Sequence, residues 1–576
     1  MNNLAPLPVV VPLAGAAVVL FAHAFVPRGV VRLLAGAAVV AEITLAAILL
    51  YQARSSTVVY WFGGWTPRAG IALGVSFTVD QLGAAAAVLA GIVVGAALTT
   101  TPTLGDGDGD GIVHALFLTL LAAMAGFCLT GDLFNLFVFF ELMAVSAFAL
   151  AAYHTRSLSA MRGALNFAIA NSIGAFLFLI GIALLYGRTG ALNLAQIGRY
   201  LATHGGLDRL AIVALALIVV GLLVKAAVVP FHFWLVDTAT SAPIPLVIVL
   251  AGVLDTLGIY GIARVYWTAF ALPTGGPPAL RTVLVATGAA TAGLAAVLSL
   301  AFQQPRRRLA FVMVAHTGII LIGVGCLTAR GLAASAVYAA GDGMVKAVLF
   351  LGLALTGWQA AGATARRAGV LLLAVGGLAL AGLPLFATGV GKAAIEAAAA
   401  RAGSGWVTPV IVGAAALTGA AVIRLALEAN AGSVATGDEG RGRWTLPLAM
   451  GVLLLGLSAA VALAGDWAAR AAARFTATRA YQQQVLSGHA ALVSTAGLHL
   501  GLPASGLALD LTAVVLAVVL GSGVVAPAAG RLAGTEPLPT VWRGARRLHD
   551  GSIGDAATWT TIGTAAIALA LASGAR

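Results

Sequence analysis

An all-α polytopic membrane protein is the fold class the sequence predicts, and three observations predict it. Of 576 residues 61% are apolar, only 9% are charged, and apolar runs of 18 residues or more recur along the whole chain. A soluble domain is usually about 45–50% apolar and about 25% charged, so a water-soluble fold is excluded. The runs also lack the two-residue alternation that an outer-membrane barrel requires.

About sixteen apolar segments follow in order, near 4–26, 30–51, 74–98, 112–130, 133–153, 161–186, 208–229, 243–269, 281–303, 308–328, 331–358, 367–399, 405–430, 443–464, 506–526 and 557–574. The first is long and lacks a basic n-region and a small-residue cleavage site, so it is read as a retained span and not a signal peptide. Net charge is +12, but the arginines gather in alternate loops: Arg156 with Arg162, Arg306 to Arg308, Arg366 with Arg367, Arg441 with Arg443, and Arg543 with Arg546 and Arg547. That alternation is the positive-inside pattern and places both termini outside. Arg54, Arg68, Arg470, Arg474 and Arg479 fall on the opposite side. Basicity here encodes orientation and not nucleic-acid binding.

Two segments are interrupted. Pro230 follows Lys225 by five residues, and Pro384 precedes Lys392 by eight. A helix broken at membrane depth is tolerated only where the break is buried in protein or lines a hydrated cavity. About five spans separate the two breaks, which predicts a pair of five-helix repeats at 112–269 and 281–430. Five being odd, the repeats are inverted, a transporter arrangement. Spans at 1–111 precede them, and 431–576 forms the C-terminal spans and extension.

Several chemistries are excluded. Cys128 and Cys326 are the only cysteines, both within apolar runs, so no iron–sulfur cluster is ligated. There is no P-loop and no GxGxxG fingerprint. The GDGDGDG stretch at 105–111 lacks the terminal glutamate of an EF-hand and reads as a solvated turn. No cofactor and no metal are expected.

Lysine usage is the most informative feature. Of 32 basic residues only Lys225, Lys346 and Lys392 are lysines, and all three lie inside apolar segments. Arginine stays charged, whereas a desolvated lysine can give up its proton. Lysines set inside apolar segments therefore point to groups that must change charge. Acids lie among them: Glu141 in mid-segment, Asp255, and Asp342 one turn before Lys346, on the same helix face. His232 follows Pro230, and His316 interrupts an apolar run; a lone histidine is commonly a satisfied core residue, but imidazole beside lysines and acids suits proton transfer. Glu42, Asp80 and Asp510 lie near segment ends or away from this group and are read as structural.

TGDLFNLFVFFELM, LLVKAAVVPFHFWLVDTATSAPIP, AGLPLFATGVGK and MVKAVLFL resemble signature stretches of the antiporter-like, proton-translocating membrane subunits shared by complex I, group 4 hydrogenases and Mrp cation/proton antiporters. The resemblance covers about 75–430. GGW at 63–65, FNLFVFFE and GALNLAQIG look most like the D-type Mrp subunit, while LHDGSIGDAATW at 548–559 looks more like longer subunits of hydrogenases or Mrp.

The resemblance implies a 14-helix core with a two-helix C-terminal extension, in a bacterial cytoplasmic membrane. It implies that Glu141 modulates Lys225, that Lys346 is the intervening relay, and that Lys392 is the terminal lysine. Protons would pass as the glutamate–lysine pairing alternates. It further implies partner membrane subunits, protons as cargo, and Na⁺ or K⁺ as the exchanged ion in an Mrp-type complex. The alternatives are a proton-pumping subunit of a complex I-like oxidoreductase or hydrogenase, and a non-conducting structural subunit. No motif argues for a quinone site.

Three positions depart from the family pattern. Thr256 stands where relatives usually have lysine, Asp342 where histidine is frequent, and Ala239 where a PDAH-like stretch has histidine. Asp255 is about 100° around the helix from the lost lysine. The central acids are open to three readings: they accept protons themselves, they help bind a hard cation such as Na⁺, or the relay is broken and the subunit is structural.

Overall fold

A computed structural model describes residues 4–101, 110–153, 158–273, 275–357, 362–432, 444–489, 504–523 and 553–573, together with 493, 499 and 500. Every apolar segment read from the sequence contains a helix. In chain order they begin with α1 (Leu7–Ala22), α2 (Arg28–Gln52), α3 (Gln81–Leu98), α4 (Asp110–Leu129), α5 (Leu133–Ala151) and α6 (Leu158–Thr189). A short amphipathic α7 (Leu194–Thr203) precedes the first broken helix, made of α8 (Arg209–Lys225) and α9 (Phe233–Ser241). Next come α10 (Ile244–Val249) and α11 (Asp255–Val265), which join through a π-helical turn at Leu250–Leu254 into one rod, Ile244–Phe270.

The chain continues with α12 (Pro278–Ala301), α13 (Pro305–Gly325) and α14 (Ala329–Gly357), then the second broken helix, α15 (Gly362–Ala381) and α16 (Ala387–Arg401). After α17 (Thr408–Asn430) and α18 (Thr445–Ala462) come two short amphipathic helices, α19 (Gly465–Phe475) and α20 (Thr478–Ser487), and the extension, α21 (Ala504–Gly521) and α22 (Ile553–Ser573). Among the described residues twelve helices are long and apolar enough to cross a membrane. The chain is a multi-pass membrane protein.

Two runs share one order of elements: α4, α5, α6, a broken helix and the α10–α11 rod, then α12, α13, α14, a broken helix and α17. Helix starts are set by short polar side chains. Asp80 accepts from the Gly83 amide, Asp132 from Asn135, and Asp208 from Ala211, each at 2.9 Å. Each satisfies one amide that the first helical turn leaves orphaned.

A small cap on one face had no counterpart in the hydropathy pattern. Strands β1 (Val58–Trp61) and β2 (Ser76–Val79) pair antiparallel, Val58 opposite Val79, so the apolar run expected at 74–98 is a strand followed by α3. TGDLFN binds this hairpin to the bundle. The Gly131 amide donates to the Ser76 carbonyl at 2.9 Å, and a Cβ at Gly131 would collide with the Thr78 side chain, so only glycine permits the approach. The Asn193 amide group donates to Ser76 Oγ at 3.0 Å, and Gln484 on α20 exchanges two hydrogen bonds with the Thr57 backbone. Residues 105–109 of the GDGDGDG turn and 548–552 of the LHDGSIGDAATW motif lie outside the described residues.

Candidate functional site, a chain of buried charges

Lys225 is the last residue of α8, where the helix stops; Ala227 adopts φ of 52° and the chain restarts at Phe233. Exposed backbone groups at a break in hydrocarbon cost several kcal/mol each unless satisfied. Here the Trp234 indole donates to the Val224 carbonyl at 2.8 Å, and the Val229 amide donates to Thr291 Oγ1 at 3.0 Å. The VKAAVVPFHFW motif thus supplies both the break and a group that satisfies it.

Lys225 is fully buried, and its ammonium has no hydrogen-bond partner among the described residues. The ammonium lies over the face of Phe140, 4.9 Å from the ring centroid. Glu141 is near enough for electrostatic attraction but forms no ion pair with it among the described residues. Glu141 is half-buried, on the α5 face that also carries exposed Phe134, Val138 and Val145. His232 is buried just past the break, its ring packed between Phe233 and Phe311.

The central charges form one bonded group. Lys346 Nζ lies 2.7 Å from Asp342 Oδ2 and 3.3 Å from Asp255 Oδ2, and all three side chains are buried. The expected pairing of Asp342 with Lys346 is present, and Asp255 joins it from α11. Thr317 donates to the same Asp255 oxygen at 2.9 Å. Asp255 reaches across because glycine allows the rods to touch: a Cβ on Gly343 would run into the Gly252 carbonyl. Gly252 belongs to the π-helical turn directly before Asp255. Thr256, one residue on, points elsewhere. It donates to the Val253 carbonyl and lines an apolar cavity with Tyr260 and Met344. The position of the missing lysine therefore does not face the charges, while its neighbour does.

His316 extends the group. Its Nε2 lies 3.0 Å from Thr418 Oγ1, and its Nδ1 lies 2.8 Å from Tyr338 Oη and 3.0 Å from Asp342 Oδ1. The Thr418 hydroxyl donates to the Ala414 carbonyl, so it accepts from Nε2–H. That leaves Nδ1 two bonding states differing by one proton: it accepts from the Tyr338 hydroxyl, or it carries a proton and donates to Asp342.

The second break is built from AGLPLFATGVGK. Gly382 takes φ of 110°, and Thr388 donates to the Ala379 carbonyl at 2.6 Å. Lys392, one turn into α16, is buried and doubly paired, 3.2 Å from Glu396 Oε1 and 2.6 Å from Asp510 Oδ1. Tyr338 links the two groups in space. A Cβ on Gly391 would lie 2.6 Å from Tyr338 backbone, and the Tyr338 hydroxyl interacts electrostatically with Asp342, Asp510 and Glu396.

The structure thus brings together Asp255, Asp342, Lys346 and His316, and sets Lys392 beside them, while Glu141 and Lys225 interact separately at the first break and His232 lies at the start of α9 against Phe233 and Phe311. Sequence reasoning passed over Glu396, Tyr338, Thr317 and Thr418, and it read Asp510 as structural and away from the charges, whereas that carboxylate lies 2.6 Å from Lys392. Glu396 carried a signal, the same i,i+4 spacing as Asp342 and Lys346.

Residues 130–418 match the model of the NADH:quinone oxidoreductase/Mrp antiporter transmembrane family. The chain belongs to that family. It is 30% identical over 344 residues to the N-type subunit of the NADH-quinone oxidoreductase of Desulforudis audaxviator, a match covering 59% of this chain and 65% of that one. It is also 30% identical over 384 residues to the D-type subunit of the Na⁺/H⁺ antiporter of Alkalihalophilus pseudofirmus, covering 66% and 73%. A chain of the Mrp complex from Dietzia sp. DQ12-45-1b superposes with a TM-score of 0.72 at 25% identity, over 84% of this chain and all of that one. The matched region contains both breaks, all three lysines and the central group, and it ends at Thr418, before the extension.

Proposed function

We propose that this chain is the proton-translocating membrane subunit of a multisubunit cation/proton antiporter-like complex of the bacterial cytoplasmic membrane. Protons pass along Glu141, Lys225, His232, Asp255, Lys346, Asp342, His316 and Lys392. The observation that carries this reading is the continuous bonded group from Asp255 through Lys346, Asp342 and His316 to Tyr338, lying between two broken helices that each present a buried lysine. The central acids take the place of the basic residues usual in relatives and keep the relay connected. On the orientation read from the arginine loops, the repeats at 112–269 and 281–430 are inverted.

Separating Glu141 from Lys225 removes the charge that holds the ammonium protonated, which frees a proton for the next acceptor. Moving one charge against 100 mV costs roughly 2.3 kcal/mol, so uphill transport draws on an external coupling. The half-buried Glu141 on an exposed apolar face supports a neighbouring membrane subunit covering it. Exchange of Na⁺ or K⁺ is the coupling named for Mrp-type relatives. The similarity to a quinone oxidoreductase subunit at the same identity favours, as the second reading, a pump driven by a separate redox module.

The test is dye-monitored ΔpH across inverted vesicles holding the intact complex, with Na⁺, K⁺ or an oxidisable substrate added in turn. A cation-triggered signal lost in Lys225→Ala and Glu141→Ala supports proton-coupled exchange. A signal that needs only the redox substrate moves the chain to the second reading. Wild-type signals from both variants in every condition would leave a non-conducting structural subunit.

A further inference from the structure

The second break is completed by a residue from outside both repeats. Asp510 lies on α21, in the extension, 118 positions from Lys392 in the chain, yet both side chains are fully buried with their charged atoms 2.6 Å apart. A carboxylate in an apolar helix is costly to bury and faces a partner when retained. The break itself is shaped for this pair. A Cβ at Gly382 would lie 2.7 Å from Lys392 Cε and 3.2 Å from Asp510 Oδ1, so the glycine leaves the space in which the two meet. Helix α21 is seated by small residues: a Cβ on Gly419 of α17 would lie 3.0 Å from Ala517 Cβ.

We propose that Asp510 is a positioning residue for the terminal lysine: it holds Lys392 at the second break and, with Glu396, determines when that lysine hands on its proton. This rests on the proton-translocation reading. With Lys392 charged and both acids ionised, the cluster carries one more negative than positive charge. It therefore takes up one proton, delivered from the Tyr338 side, and returns to its starting charge when that proton leaves. The groups facing Lys392 are Glu396 on its own helix, Asp510 on α21 and Tyr338 on α14, with Asp342 and His316 bonded behind Tyr338. Helix α18 carries no charged residue, Arg366 and Arg367 lie in the first turns of α15, and Arg424 and Glu428 of α17 pair with each other. The extension is then part of the path and not only an anchor.

The test uses the intact complex in inverted vesicles with Asp510→Asn, Asp510→Glu, Lys392→Gln and the double variant Lys392→Gln/Asp510→Asn, beside Lys225→Ala. Asp510→Asn is expected to move the pH of half-maximal ΔpH formation by about one unit or more, since an adjacent opposite charge shifts a titration by roughly that much. Asp510→Glu is expected to restore the profile. The double variant should be no slower than Lys392→Gln alone, because the two changes act through one pair. A wild-type pH profile in assembled Asp510→Asn complex, or additive losses in the double variant, would overturn the proposal. If Asp510→Asn fails to assemble, recovery of assembly in the double variant supports the pairing, and continued failure overturns it. Wild-type ΔpH from Lys225→Ala would instead sink the translocation reading, leaving the assembly comparison to decide on the pair.

Discussion

Lys225 and Lys392 each sit beside a helix break, and both are fully buried, but their surroundings differ. Lys225 has the face of Phe140 near its ammonium and no ion pair among the described residues, whereas Lys392 touches two carboxylates. A ring face attracts a cation by about 0.5–2 kcal/mol, far less than a carboxylate does in a low-dielectric interior. The backbone at the two breaks is treated alike: at each, one carbonyl accepts both a backbone amide and a side-chain donor, Trp234 at the first and Thr388 at the second. The difference therefore lies in the charge partners and not in the scaffold. It teaches that one architecture holds a lysine in either a parted or a paired state, the two states that alternating proton transfer requires.

The comparison breaks most severely if the link between the halves is cut. Lys346→Met leaves Asp255 and Asp342 buried without their cation, which should cost about 3–5 kcal/mol and reduce ΔpH formation to background. Thermal unfolding of the purified complex and the vesicle assay measure the two effects. Adding Asp342→Asn should recover part of the stability but none of the transport. Next in size is Gly343→Ala, which drives α14 off the Gly252 carbonyl and pulls Lys346 from Asp255. Overpacking of this kind costs about 1–3 kcal/mol, and transport should fall with it.

The sameness of the two scaffolds is sharpened by removing each carbonyl's partner. Each carbonyl keeps a backbone amide donor, so Trp234→Phe and Thr388→Val should each cost about 0.5–1.5 kcal/mol for the lost hydrogen bond, with similar losses in unfolding midpoint. Markedly unequal losses would show that the breaks are not equivalent.

The smallest effect lies outside the membrane, at the start of α8. The Ala211 amide, and then Arg188, hold the Asp208 carboxyl below its usual range. A lowered folded value contributes stability above the unfolded value that is lost as pH falls through the folded one. Asp208→Asn keeps the cap but loses the charge, so it should cost under about 1 kcal/mol at pH 7. The gap to wild type should close below about pH 4.

Hydropathy was enough to find all the spans, because a bilayer demands long apolar runs, and the two prolines marked both breaks. The hairpin and α7, α19 and α20 carried no such signal: the strands are four residues long and the helices are short and half-polar. Asp342 with Lys346 was legible because it is local on one helix. The pairing of Asp510 with Lys392 was not, since nothing local connects α21 to α16. Asp255 and Thr256 show the geometric limit. The 100° between neighbours correctly separated their directions, but which of the two faces the charges depended on the π-helical turn and the Gly252–Gly343 contact.

The central claim is that the buried lysines must change charge, and arginine tests it most directly. Lys225→Arg keeps a cation at the first break but does not release its proton under physiological conditions. ΔpH formation by assembled Lys225→Arg complex in inverted vesicles should fall to the level of Lys225→Ala. Wild-type rates from the arginine variant would contradict the account, because a fixed positive charge would then be all that the site requires.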